Sequence, residues 1–308
     1  MKVLFWGTPE FAVPSLRALT EEGHDVVGVV TQPDRRAGRG LGVAKSAVKE
    51  VAESEALPVL QPEHARGDEF LSSIRALEPD VSVVVAYGQI LKPEVLDVPR
   101  FGSVNIHASL LPELRGAAPI HWSIIRGYDV TGITIQKMEA GLDAGPILYQ
   151  VTEPIQPEES MSELARRLSE IGAEAIVEAL LLLDNQTLAE RVQDHDRATY
   201  APKLDRETAH LDWRLPAAHL SRWIRGLDSV PGAWSEVRGQ PVKLFAPLVE
   251  AASGAPGEVL EVDPERGPLI AAGEGALRIR EVQPAGRKRM AGGAWVRGRG
   301  IDVGERLG

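Results

Sequence analysis

Short apolar runs alternate with amphipathic stretches through the first half of the chain. KVLFWG (2–7) reads as a buried strand and PEFAVPSLRALTEEG (9–23) as a helix ended by Gly23. DVVGVVTQ (25–32) reads as a second strand and PVLQ (58–61) as a short third. DVSVVVAYG (80–88), SVNIHAS (103–109) and TGITIQKME (131–139) extend the series to six strands, with helical stretches between most of them. Strands apolar on both faces need cover on both faces. The pattern therefore predicts an α/β fold with a mostly parallel, doubly wound, Rossmann-like sheet. GPILYQVTEPI (145–155) reads as a further, antiparallel strand, and SMSELARRLSEIGAEAIVEALLLLD (160–184) as a long amphipathic helix.

The pattern then changes. Residues 185–206 are polar and aperiodic, and a short helix follows around LPAAHLSRWIRG (215–226). Beyond Pro231 come AWSEVRG, QPVKLFAPLVE, GEVLEVD, GPLIAAG and ALRIREVQ, short strands broken by Gly and Pro. These predict a small closed, OB-like β-barrel. The division expected is a first domain over 1–189, a linker over 190–206 and a C-terminal barrel over 207–308. The length, 308 residues, agrees with two cores, because one core usually stops growing near ~250–300.

Composition narrows the class. The chain has 44% hydrophobic and 25% charged residues, which excludes a disordered or fibrous chain. It has no cysteine, hence no disulfide framework and no thiolate metal site, which fits a cytoplasmic location. Gly7, Pro9 and Glu10 interrupt the first apolar run too early for a signal peptide. No run reaches the ~18 apolar residues of a membrane helix, so no membrane partner is expected.

The net charge of −10 argues against nucleic acid until its distribution is read. Residues 1–199 carry about 18 basic and 30 acidic side chains, and residues 200–308 about 16 and 14. Two basic clusters stand out: PDRRAGRGLGVAKSAVK (33–49), and AGRKRM (285–290) with Arg297 and Arg299 after it. Each is either a solvated charge run or a set of phosphate contacts.

Several chemistries fall away. GTPEFA after the first strand lacks G-x-G-x-x-G spacing, so a nicotinamide or flavin is not provided for. The seven histidines show no H-x-x-x-H or H-E-x-x-H spacing, and no G-x-S-x-G elbow accompanies Ser109. What remains is Asn105 and His107, two apart on a strand and so on one face, at the carboxyl end where open parallel sheets place their crevices. Asp143 sits between Gly141 and Gly145 in the loop after the sixth strand, where a carboxylate could orient a histidine ring or favour its charged form. On spacing alone, a buried polar pair tying down a loop, and an Asx turn, explain these residues equally well.

NIHASLLPELRGAAPI (105–120) followed by GLDAG (141–145) resembles the formyltransferase family that uses 10-formyltetrahydrofolate. The likeness runs nearly end to end through GTPEFA, TQPDRRAGRG, LPVLQP, VVVAYGQIL, TYAPKL, IRGLDSVPGAW and QPAGRKRM, in order. The resemblance implies Asn105, His107 and Asp143 as the catalytic trio. It implies Ser109, Leu110, Leu111 and Pro112 as the folate lining, with Gln89 and Leu91 of YGQIL as further folate contacts. It implies folate as formyl donor, direct attack by an amine, no metal and no NAD.

The trio alone would serve glycinamide ribonucleotide or an amino-sugar nucleotide equally. The basic loop and the appended barrel point to the branch whose acceptor is initiator methionyl-tRNA. They imply Arg35, Arg36 and Arg39 at the acceptor end, and Arg287, Lys288 and Arg289 on the stem. A monomer suffices for all of this. One departure lies at Leu41, Gly42 and Val43, where many relatives continue with lysines and prolines.

Overall fold

The computed structural model describes residues 1–37 and 42–308. The chain forms two compact units: residues 1–116, 131–154 and 165–200, and residues 117–130, 155–164 and 201–308. In chain order the elements up to the long helix are β1 (Lys2–Gly7), α1 (Val13–Glu21), β2 (Asp25–Val30), β3 (Arg35–Ala37), β4 (Gly42–Ala44), α2 (Ala47–Ser54), β5 (Val59–Leu60) and α3 (Asp68–Ala76). Then come β6 (Val81–Val85), α4 (Pro93–Leu96), β7 (Ser103–His107), α5 (Pro119–Ile125), β8 (Val130–Lys137), β9 (Ile147–Pro154) and α6 (Met161–Asp184).

Among the described residues, one sheet has the order β5-β2-β1-β6-β7-β8-β9. From β5 to β7 every pairing is parallel. Every residue of β6 is buried, as a central strand covered on both faces requires. The antiparallel switch falls at β8, one strand earlier than the pattern suggested, and pairs His107 with Thr134 and Asn105 with Gln136.

Helix α6 covers this sheet with Leu168, Ala175, Ile176 and Ala179 buried. A Cβ on Gly172 would lie 3.1 Å from Ile106 Cγ2, so the helix approaches β7 closely there. Ile106 thus faces α6, and Asn105 and His107, of opposite parity, face the other way. The basic loop is a hairpin of β3 and β4 where it is described. Residues 190–200, the first part of the 190–206 stretch read as a linker, are bonded to the first unit. Arg191 pairs with Ile147, and Arg115 donates its backbone N–H to Thr199 O at 2.8 Å.

The second unit adds α7 (Ala217–Gly226), β10 (Trp234–Val237), β11 (Gln240–Glu250), β12 (Val259–Asp263), β13 (Gly267–Ala271), β14 (Ala276–Pro284), β15 (Met290–Ala291) and α8 (Gly292–Arg297). The strands form an antiparallel sheet, β10-β11-β14-β13-β12, with β15 on β14. The last residues close it. Gly308 exchanges backbone hydrogen bonds with Glu236 of β10, while Leu307 N–H donates to Gly257 O and Val259 N–H to Glu305 O. The tail thus stitches the two edge strands together and leaves a barrel-like unit without a long open edge. Leu220, Ile224, Leu244, Ile270, Leu277 and Val282 fill its core.

Candidate active site

The carboxyl end of β7 carries His107, 5% exposed, and Asn105, half-buried. The His107 Nε2 atom lies 3.0 Å from Leu114 O. A carbonyl only accepts, so Nε2 carries the hydrogen and the lone pair of the neutral ring sits on Nδ1. That atom faces Asp143 Oδ2 at 3.7 Å. Asn105 is paired across the sheet with Gln136, and its amide has no hydrogen-bond partner among the described residues.

Asp143 reaches this face by a turn that only its local sequence permits. Asp143 has φ +47° and Gly141 φ +130°, both left-handed. A Cβ on Gly145 would lie 1.9 Å from Lys137 O, so that position admits glycine alone. The carboxylate accepts from Gln136 Nε2 on Oδ1 at 2.9 Å and from Gly116 N–H on Oδ2 at 2.8 Å. Both oxygens are therefore fixed by protein donors, and no direct hydrogen bond joins the carboxylate to the ring, because 3.7 Å is beyond hydrogen-bond range.

The strand then breaks into Ser109–Pro112. The Ser109 hydroxyl donates to Glu113 O at 2.6 Å and its carbonyl accepts from Thr134 Oγ1 at 2.6 Å. Leu111 is 3% exposed, its N–H on Thr134 Oγ1 and its carbonyl on Gln150 Nε2. Ser109 and Leu111 thus hold the turn, and Leu110 and Pro112 keep accessible surface. In the segment after β6, Gln89 donates to Glu63 O at 3.0 Å, and Leu91 lies in the core at 7% exposure. The apolar side chain that faces outward there is Ile90, 94% exposed.

A cavity of about 390 Å³ opens where β1, β2 and β6 end, lined by Thr8, Gln32, Arg35, Lys45, Ser46 and Tyr87 among others. Burial pushes the Tyr87 phenol up to about 12. Its hydroxyl and Gln32 Nε2 are buried without hydrogen-bond partners among the described residues. At the foot of the hairpin, hydrogen bonds from Lys49 and then Gln61 hold the Asp34 carboxyl below its ordinary range.

The basic residues divide. Arg35 is exposed and, among the described residues, its side chain reaches only Gln32 Oε1, at 3.4 Å. Arg36 lies on β3, where its backbone alone is described, and Arg39 lies outside the described residues. In the second unit Arg287 and Lys288 are exposed on the turn between β14 and β15. Arg289 is engaged: it forks onto Asp228 at 2.8 and 3.1 Å, bonds Glu281, and lies 4.0 Å over the Phe245 ring. Among the described residues, no group of three or more acidic or histidine side chains is placed to hold a metal ion, and no helix is long and apolar enough to cross a membrane.

Three polar residues of this site escaped the sequence reading. Gln136 interrupts an apolar strand as Asn105 and His107 do, a signal that was readable. Arg115 and Gln193, each 4% exposed, gave none.

Residues 1–180 match the model described as formyl transferase, and residues 203–300 that of the formyl transferase C-terminal domain. Over 307 residues the chain is 45% identical to the methionyl-tRNA formyltransferase of Magnetococcus marinus, covering 100% of this chain and 98% of that one. It is 47% identical over 312 residues to that of Thiobacillus denitrificans, covering 100% of both. Among solved structures, HypX from Aquifex aeolicus in complex with tetrahydrofolic acid has the same fold, with a TM-score of 0.69 at 22% identity over 99% of this chain. The chain spans 50% of that longer protein.

Proposed function

The chain belongs to the formyl transferase family, and from that premise we propose that it moves a formyl group from 10-formyltetrahydrofolate to the α-amine of initiator methionyl-tRNA. The full-length identity of 45 and 47% to two methionyl-tRNA formyltransferases carries this reading. The gathering of an amide, an imidazole and a carboxylate at one strand end supports it.

An α-amine titrates near ~7.7–8.0, so a useful neutral fraction attacks the formyl carbon directly and no covalent enzyme intermediate is needed. Attack puts negative charge on the formyl oxygen. The Asn105 amide, which has no partner among the described residues, donates to that oxygen; a donor of this kind is typically worth ~10²–10³ in rate. His107 takes the proton the amine loses on Nδ1 and returns it to N10 of the folate as the C–N bond breaks. Asp143 faces the side of the ring on which positive charge then appears.

Leu110 and Pro112 offer the folate apolar surface, on a turn held by Ser109 and Leu111. The segment containing Gln89 and Leu91 presents backbone groups to the pterin. Arg35, Arg36 and Arg39 grip the acceptor end, and of these Arg35 lines the cavity together with Lys45. Arg287 and Lys288 bind stem phosphates, while Arg289 props their turn. Residues 1–189 form the catalytic domain, with residues 190–200 packed onto it, and residues 207–308 the tRNA-binding one. One copy holds every residue named, so a monomer suffices, and initiation of translation puts the reaction in the cytoplasm.

The test is formyl transfer by the purified protein from 10-formyltetrahydrofolate to charged initiator tRNA, beside charged elongator methionyl-tRNA. The expected product is formylmethionine on the initiator alone. No product there, or equal transfer to a free amino-sugar nucleotide, overturns the reading.

A further inference from the structure

Behind Asp143 stands a buried pair that the reaction described above does not use. Gln193 and Arg115, each 4% exposed, meet far apart in sequence: Gln193 Oε1 accepts from Arg115 Nη2 at 2.6 Å and from its Nε at 3.2 Å. The Gln193 amide nitrogen has two hydrogens. It lies 2.6 Å from Gly145 O and 3.0 Å from Asp143 O, the carbonyls on either side of Ala144. Arg115 is itself anchored, by Nη2 on His195 Nδ1 at 3.0 Å and by its N–H on Thr199 O at 2.8 Å.

Asp143 has the left-handed φ of +47°, a conformation disfavoured for a residue with a side chain unless its surroundings hold it. Gln193 supplies that hold from the carbonyl side, while Gln136 and Gly116 hold the carboxylate. The next residue after Arg115 is Gly116, so the same corner sets both clamps.

We infer that Gln193, backed by Arg115, is a positioning residue that fixes the Asp143 turn and thereby the carboxylate facing His107. This rests on the formyl-transfer reading above. Gln193→Glu keeps the bulk and the Arg115 contact but replaces the donors with oxygen, which faces two carbonyls. Transfer in a single turnover should slow about tenfold or more, with unchanged affinity for tRNA and for folate.

A double-mutant cycle separates positioning from general stability. In the Asp143→Ala background, Gln193→Glu should have no further effect on rate, because the group it positions is gone. Gln193→Leu, which fills the site without charge, should behave the same, so a poorly folding Glu variant does not end the test. Melting temperatures are read for all four proteins of the cycle. If Gln193→Glu and Gln193→Leu turn over at the parent rate, or slow it by the same factor with and without Asp143, the inference fails. If Asp143→Ala alone keeps full turnover, it is the catalytic role of Asp143 that fails.

Discussion

The Nδ1 atom of His107 and Oδ2 of Asp143 lie 3.7 Å apart, near enough for charge to act and too far for a hydrogen bond. The carboxylate is instead oriented by Gln136 and Gly116, which donate one hydrogen to each oxygen. An amide at this position offers one acceptor and one donor group, so one of these contacts must break whichever way it turns. Asp143→Asn therefore loses both charge and position. Its turnover should fall about a hundredfold or more, with tRNA affinity unchanged, as read by single-turnover transfer and filter binding. A large affinity loss at full turnover contradicts the assignment.

Among the described residues the Asn105 amide has no partner, so Asn105→Ala leaves none of their polar groups unsatisfied. Melting temperature should be unchanged while turnover falls by about 10²–10³. An equal loss in stability would mean that the amide ties down the loop instead.

Among the described residues the exposed Arg287 and Lys288 side chains have no ion-pair or hydrogen-bond partner, and Arg289, beside them, has several. Ala at Arg287 and Lys288 together should weaken tRNA binding and flatten its salt slope by about two phosphate contacts' worth, at ~0.7–0.9 each, with no change in melting temperature. Arg289→Ala should instead lower the melting temperature, because it strands Asp228, 6% exposed. Indistinguishable salt slopes and melting temperatures for the two proteins would contradict this division.

In the barrel-like unit Arg278, 1% exposed, forks onto Glu250 and also bonds Glu261 and Gly267 O. The hydrogen bond from Arg278 holds the Glu250 carboxyl below the ordinary carboxylate range. The unfolded chain then takes up the proton first as pH falls. The stability from this pair is complete above the unfolded value and is lost on descending through the folded one. Glu250→Gln should cost on the order of 1–3 kcal/mol near neutrality, and the gap in melting temperature from the parent should close in acid. A gap that stays constant with pH would show that charge has no part in it.

The sequence by itself determined the alternation of strands and helices, the parallel core, the long helix and the change to short strands after Pro231. Each of these is written in local periodicity, because burial of neighbouring residues on one face or both is a property of a short window. It also determined that Asn105 and His107 share a face, since that follows from strand parity. Only the tertiary structure decided the direction of β8, because strand direction depends on the path of the chain between strands. Only it showed that the C-terminal tail closes the β10–β12 sheet and that residues 190–200 pack onto the first unit.

Polar pairings across the fold tell the same story more sharply. Arg115 and Gln193 are 78 residues apart, and Arg289 and Asp228 61 apart. No window spans such pairs. A basic run shows how many charges exist but not which find an acid across the fold, and so Arg289 looked like its neighbours until the chain was seen folded. Partnership between distant polar groups is settled by packing, where leaving either one buried and unpaired is what costs free energy.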